Sequence, residues 1–408
     1  MPAPLAIDGG TPVRTAPLPP WPAPGADEIA AVTRVLETGR LNYWTGTCGN
    51  ELEAAYAAEL GRGHAIALAN GTLALELALR AFEIGPGDEV IVPARTYIAT
   101  ASAVVAVGAT PVIADVDPYS GTLTAETVAA VTGPATRAVI PVHLGGWPVD
   151  MDPLIDFAHG RGILVIEDCA QAHRGTYLGR PVGALGSDAA AFSFCQDKIV
   201  PAGEGGMLVL DDTAAFERAW AYKDHGKSLA KVLAPDTTHQ GPMFRWLHDS
   251  FGSNWRMPEL CAALALAGFR KLPAWHAART ANALRLADGL AEHPALHIPL
   301  PDASAGTAHA FYRLYAYVKP ELLAQGWDRD RITRAISAEG TPCQYGSCAE
   351  IYREEAFASA GLGPASRLPG ALHTDETAIA FFVHPTLTAH EIDDTLTAVA
   401  KVMAVANL

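Results

Sequence analysis

A chain of 408 residues has room for two domains of roughly 100–200 residues each. With 50% hydrophobic and 18% charged residues it has the balance of a folded enzyme, which excludes a disordered or fibrous chain. A net charge of −15 excludes a broad electrostatic grip on nucleic acid or an anionic membrane, while leaving room for a local anion pocket.

The Pro-rich opening, residues 1–25, reads as an extended arm. It lacks the basic start, apolar middle and small-residue cleavage site of a secretory signal, so a cytoplasmic protein is expected. Helical spacing covers Ala26–Thr38 and Glu51–Leu60, and the rhythm changes near His64. From there short apolar runs predict strands at Ala65–Ala69, Gly87–Pro93, Pro111–Val116, Ala138–His143, Ile163–Asp168, Ala189–Phe194 and Gly206–Leu210, with a helix over Thr72–Phe82. The uncharged stretch Thr96–Ala114 is broken by Gly108 and Pro111 into helix, turn and strand, not a membrane span.

This alternation predicts an α/β fold whose mostly parallel sheet is covered by helices on both faces. After Pro258 a long helix, Glu259–Leu290, leads into a smaller mixed segment. The expected division is a large domain at 26–265 and a smaller C-terminal α/β domain at 266–408. The six cysteines are too sparse for a disulfide scaffold, and no His/Cys set at zinc-ligand spacing surrounds Cys343 and Cys348; reduced thiols and no metal are expected.

In a sheet of this kind ligands sit at the carboxyl ends of the strands. The strand ILVIED ends there in Glu167 and Asp168, two carboxylates expected to face the cleft, although acidic residues also simply cap helices. In FSFCQDKIVPAGEGG, Lys198 lies between two apolar strands, and Gly203, Gly205 and Gly206 imply a turn whose backbone closely approaches something. A lysine so placed can lose its proton and attack a carbonyl. Asn70, Gly71 and Thr72 stand between a strand and a helix, where free amides bind phosphate or merely form a cap. Tyr97 ends the next strand, where its ring would stack on a planar group or join the core. A phosphate cradle, an aromatic plate, a carboxylate and a lysine together meet the needs of pyridoxal phosphate (PLP): the carboxylate keeps the pyridine nitrogen protonated and the lysine forms the resting imine. No G-x-G-x-x-G follows the first strand and no G-x-x-x-x-G-K-[ST] occurs, which removes support for nicotinamide and P-loop readings.

The blocks GTPVR, ANGTLALELAL, GPGDEVIVPARTYIATA, PVHLGGWPVDMD, VIEDCAQAH, FSFCQDKIVPAGEGG, YKDHGKS, GSNWRMPEL and FFVHPTL run in order through nearly the whole chain. In this the chain resembles the DegT/StrS-type sugar aminotransferases, PLP enzymes of the aspartate-aminotransferase fold, fold type I. The resemblance implies that Lys198 is the imine lysine, that Asp168 partners the pyridine nitrogen and that Gln171 holds the phenolic oxygen. It places Ser193 and the helix start at Gly71 and Thr72 on the phosphate, Tyr97 over the ring, and Asn254 on the phosphate of the second subunit in a homodimer.

It further implies a glutamate or glutamine donor, pyridoxamine phosphate between the two half-reactions, and a keto-sugar or keto-cyclitol acceptor of polysaccharide or antibiotic biosynthesis. Arg174 stands where the family usually has Gly and is expected at the floor of the substrate pocket, and Pro201-Ala202 replaces the usual residues before GEGG. His225 and Arg256 are further substrate-binding candidates, with Lys223 and Lys227 for a diphosphate. His143, His173 and His225 are proton carriers or structural hydrogen-bonding groups. The competing readings are a sugar dehydratase of the same fold, whose histidine in place of the imine lysine is absent here, and a non-catalytic PLP-binding regulator.

Overall fold

The computed structural model describes residues 4–233 and 246–408. The strands run in order as β1 (His64–Leu68), β2 (Glu89–Pro93), β3 (Thr110–Ala114), β4 (Thr136–Val139) and β5 (Leu164–Asp168), then a short hairpin of β6 (Thr176–Tyr177) and β7 (Arg180–Pro181), then β8 (Ala189–Ser193) and β9 (Gly206–Leu210). Without the hairpin they form a sheet ordered β1-β9-β8-β5-β4-β2-β3, in which β9 alone runs against its neighbours.

Alternation along each strand sends successive side chains to opposite faces, and both faces are buried. Ala67, Ile91, Val139, Val165 and Met207 join a core with Leu52 and Tyr56 of the helix Cys48–Leu60 and Leu154 of the helix Met151–His159. Ile66, Val90, Ala138, Ile166 and Leu208 join the opposite core with Leu75 and Leu79 of the helix Gly71–Ala81 and Val104 of the helix Ala99–Ala106. The apolar runs are thus fully buried strands. The run expected to reach His143 stops pairing regularly at Val139, because Pro141 has no amide to extend the ladder; beyond it Val142 makes one isolated bridge to Asp168.

The C-terminal part is a four-stranded antiparallel sheet ordered β10-β11-β13-β12, from β10 (Leu296–His297), β11 (Leu314–Val318), β12 (Cys343–Gln344) and β13 (Ala378–Phe381). Its core takes in Ile332 and Ile336, Val399 and Met403 from flanking helices, and Leu286 and Leu290 of the long helix Glu259–Leu290. That helix serves both cores, since Leu266 and Leu272 pack with the large sheet and Ala283 onward with the small one. The expected division at 265/266 therefore falls inside a continuous helix and not in a loop.

The N-terminal arm is fastened to the C-terminal unit. Leu5 is buried in the small core. The buried Glu339 carboxylate accepts from the amides of Ala6 at 2.8 Å and Val13 at 3.1 Å and from Lys401 at 2.8 Å. Arg14 pairs with Asp394 at 2.7 Å. Among the described residues no helix is long and apolar enough to cross a membrane.

Candidate active site

The carboxyl ends of β1, β2, β5 and β8 open into a cavity of about 840 Å³, closed on its far side by the C-terminal unit. Asn70, Gly71, Thr72, Thr96, Tyr97, Thr100, Asp168, Gln171, Ser193 and Lys198 line one wall. Tyr312, Arg313, Tyr315, Gln344, Ser347 and Cys348 line the other. The structure thus brings Gly71, Thr72, Tyr97, Asp168, Gln171, Ser193 and Lys198 together from four separate stretches of sequence.

Asp168 is 6% exposed. Its Oδ2 accepts from the Thr100 hydroxyl at 3.0 Å and its Oδ1 from the Ala170 amide at 3.1 Å. Burial pushes its pKa up, and the Ala170 amide, Thr100 and the Lys198 charge offset this only in part. Thr100, already donating to Asp168, accepts in turn from Thr96 at 2.9 Å. These two threonines, four residues apart, are not singled out by the sequence reading; their mark is the T-x-x-x-T spacing just after a strand end, with Thr100 in the first turn of the helix Ala99–Ala106.

Glu167, next in the chain, points through the sheet to the other face, as strand alternation requires, and does not line the cavity. It is fully buried and accepts from His143 Nε2 at 3.0 Å, the Gly183 amide at 2.8 Å, the Leu185 amide at 3.4 Å and the Ser187 hydroxyl at 2.5 Å. The expectation that both carboxylates face the cleft therefore holds for Asp168 only. His143 accepts the Val149 amide at Nδ1 (3.0 Å), which leaves the proton on Nε2 for Glu167. His143, Glu167 and Cys169 bring ligand atoms within 4.8 Å of one another, but the histidine and carboxylate atoms are spent on these hydrogen bonds. His173 is likewise buried between the Tyr56 hydroxyl (2.8 Å) and the Ser193 carbonyl (2.9 Å), so both histidines buttress the site from behind.

The helix Gly71–Ala81 begins at the cavity. Asn70 caps it by accepting from Leu73 at 2.9 Å, leaving the first amides, Gly71 and Thr72, without intrahelical partners. Glycine is required at position 71, because a Cβ there would lie 2.7 Å from Ser193 Cβ. It is required again at Gly206, where a Cβ would lie 2.3 Å from the Asn70 carbonyl oxygen. The glycine turn after Lys198 thus closely approaches the loop that starts this helix. Gln171 Oε1 accepts the Gly145 amide at 2.7 Å, which leaves its NH₂ end to donate into the cavity. Lys198 Nζ lies 4.9 Å from the Tyr312 ring centroid, and Tyr97 is 69% exposed.

The substrate candidates lie elsewhere. Arg174, at φ 69°, pairs with Glu59 and lines a separate hollow of about 370 Å³ with Tyr56, His173 and Phe192. Its left-handed backbone turns the side chain away from the floor where it was expected. His225 is exposed at φ 60° and does not line the cavity. Arg256 and Lys227 both pair with Asp224, at 2.6 and 2.9 Å, while the buried Lys223 lies 3.6 Å over Tyr43. None of these three lines the cavity, nor does the exposed Asn254.

With this geometry in place, comparison with known proteins is specific. The model of the DegT/DnrJ/EryC1/StrS aminotransferase family matches residues 22–400. The chain belongs to this family. An aminotransferase from Psychrobacter cryohalolentis is similar at 47% identity with a TM-score of 0.92, over 95% of this chain and 99% of that one. A UDP-N-acetyl-3-dehydro-alpha-D-glucosamine 3-aminotransferase of Acidithiobacillus ferrooxidans is 39% identical over 78% of this chain and 79% of its own. An L-glutamine:2-deoxy-scyllo-inosose aminotransferase of Streptomyces lividus is 36% identical over 92% of this chain and 87% of its own. This chain is accordingly an aminotransferase.

The hydrogen bonds around Glu167 have a consequence for the stability of this aminotransferase. Burial alone would raise the carboxyl, but His143, Ser187 and Gly183 hold it below its ordinary value of 4.5. The stability it contributes is present above that value and is lost as pH falls through the lower, folded-state value. Glu167→Gln is expected to cost about 2 kcal/mol at neutral pH. Urea titrations at pH 7 and in the acid range should show the gap between variant and wild type closing as the acid titrates.

Proposed function

We propose that the chain binds pyridoxal 5'-phosphate in this cavity and transfers an amino group from glutamate or glutamine to a ring ketone of a sugar or cyclitol. The observation that carries the reading is the convergence of Lys198, Asp168 and the start of the helix Gly71–Ala81 on one cavity. The residues fit the cofactor. A carboxylate buried with neutral hydrogen-bond donors, whose raised pKa the Lys198 charge offsets only in part, suits a further cation, and a protonated pyridine nitrogen is one. The paired small residues Gly71 and Ser193 leave room at the helix start for a phosphate.

When bound, the cofactor supplies an electron sink for the carbon that loses its proton. Asp168 would keep the ring nitrogen protonated, and the Gln171 NH₂ would donate to the phenolic oxygen. Ser193 and the amides of Gly71 and Thr72 would hold the phosphate, with Tyr97 over the ring. Lys198 would anchor the cofactor and carry the proton at Nζ. Arg313, the other cation of the cavity lining, stands where a donor carboxylate would need one.

Two relatives are named for ketones on polyhydroxylated rings, one nucleotide-linked and one not. The neutral polar groups Tyr315, Gln344 and Ser347 suit the hydroxyls of such a ring. A homodimer completes the reading: Phe251 is 100% exposed and Trp246 78%, both shortly before the exposed Asn254 in the chain, and apolar surface of this kind favours burial against a second copy.

Wild-type protein loaded with the cofactor is expected to show its absorbance band and to lose it on adding glutamate or glutamine. Lys198→Ala should retain the cofactor but lower amino transfer by more than about a thousandfold. A wild-type protein that takes up no cofactor would refute the reading. For the shared site, Asn254→Ala is expected to weaken cofactor binding roughly tenfold, one lost charge-assisted hydrogen bond. At a cofactor concentration well below the dissociation constant of Asn254→Ala, mixing Asn254→Ala and Lys198→Ala subunits should raise activity above that of either variant alone, through mixed dimers with one intact site; lack of any rise would place Asn254 outside the partner's site.

A further inference from the structure

The Lys198 main chain is held from an unexpected direction. Its amide donates to Cys195 within its own loop at 3.0 Å. Its carbonyl accepts the indole N–H of Trp21 at 3.0 Å, from the N-terminal arm. Trp21 is wedged into the seam between the two units. Its ring meets Trp275 edge-on at 5.1 Å, stacks near His384 at 6.2 Å and lies 5.0 Å from the guanidinium carbon of Arg279. Arg279 is completely buried, spends Nη1 on the Phe311 carbonyl at 3.2 Å and has no hydrogen-bond partner for Nε and Nη2 among the described residues, so the indole face is a principal neighbour of its charge. Just before Trp21, the Pro20 carbonyl accepts the Thr386 hydroxyl at 2.9 Å. Further back, Arg14, Val13 and Ala6 are tied to Asp394 and Glu339 of the C-terminal unit.

We propose that the arm is a strap by which the C-terminal unit fixes the peptide carrying Lys198, with Trp21 a positioning residue for the Lys198 amine. This rests on the reading of Lys198 as the cofactor-bound, proton-carrying lysine. The physical reason is leverage: Lys198 must bring Nζ to a defined point, and every torsion of its long side chain starts from a main chain that the indole locks on its carbonyl side. An error of about 1 Å in a reacting group costs up to a hundredfold in rate. Indole is suited to the task because its N–H only donates, and donates from a rigid ring that two packed neighbours hold in place.

The test is Trp21→Phe in the full-length, cofactor-loaded enzyme, which keeps an aromatic ring against Trp275 and Arg279 but removes the donor. At saturating glutamate the rate of change of the cofactor band should fall about three- to tenfold, the worth of one net hydrogen bond. The glutamate concentration giving half-maximal rate should stay within about twofold, as expected when binding is untouched. The pH midpoint of the resting band, which reports the surroundings of Lys198 Nζ, should also move. Thr386→Val, which releases the Pro20 carbonyl and leaves Trp21 in place, should give the same pattern more weakly and guards against misfolding of the first variant. A wild-type rate and pH midpoint with only a lower melting temperature would make Trp21 a packing residue and overturn the proposal, as would a change confined to donor affinity. Absence of a cofactor band in the wild type would instead remove the reading on which the strap rests.

Discussion

Asp168 ends the central strand β5 in a place where water scarcely reaches, and its hydrogen bonds among the described residues come from a hydroxyl and an amide, not from a cation. A buried carboxylate with no cation among its hydrogen-bond donors is costly, and on the proposed function the ring nitrogen of the cofactor supplies the compensating charge. Much of the surrounding architecture serves to keep that acid dry and oriented. Thr96 and Thr100 form a relay against one oxygen, and the Ala170 amide holds the other. The parallel strands on either side bring the neighbouring loops to the same level. The cavity is located where it is because the sheet's carboxyl ends, the helix start at Gly71 and this acid are fixed to one another.

Adjacent Glu167 shows how strongly environment divides two identical functional groups. One residue along the same strand, it meets His143, Gly183, Leu185 and Ser187 and is saturated with donors. The pKa shifts follow: the saturated acid falls and the undersaturated one rises, although both are buried. A group whose hydrogen-bonding capacity is filled is structural; a group left with capacity is available for chemistry. The same criterion separates His143 and His173, each engaged at both ring nitrogens, from Gln171, which retains a donor.

Those elements and residues that were legible in the sequence share a cause: their roles follow from local pattern. The buried strands were visible as apolar runs because both faces of the sheet are covered, and Lys198, Asp168 and Gly71 because they sit at or just beyond the ends of those runs; Ser193 entered only through the family resemblance. What was not legible depends on direction or on contacts between distant segments. Arg174 follows the AQAH block yet turns away at a positive φ, and Arg256 and Lys227 turn to Asp224. The Arg256–Asp224 pair joins residues 32 positions apart and leaves no periodic trace, whereas Lys227 reaches the same acid from three positions along the chain. Tyr312, Arg313 and Gln344 come from a second unit whose approach to the sheet no local pattern specifies, and the helix Glu259–Leu290 hides the division between the units by belonging to both cores.

The two walls of the cavity differ in kind, and the difference bears on how such a site changes specificity. The wall from the large sheet is rigid: strand ends, a helix start, glycines that admit no substitution without displacing backbone. The opposite wall comes from β11, from Gln344 of β12 and from the loop after it carrying Ser347 and Cys348, tied back through the Ser347 amide to the Tyr315 hydroxyl at 3.0 Å and through Arg95, whose guanidinium carbon lies 4.6 Å from the Tyr315 ring. On the proposed function, a substitution in the first wall disturbs the chemistry, whereas one at Tyr315, Gln344 or Ser347 in the second alters which ring hydroxyls are matched while the acid and the lysine stay in place. On the proposed reading, one fold accepts a nucleotide-linked sugar in one relative and a free cyclitol in another because the reacting groups and the selecting groups are carried by different units.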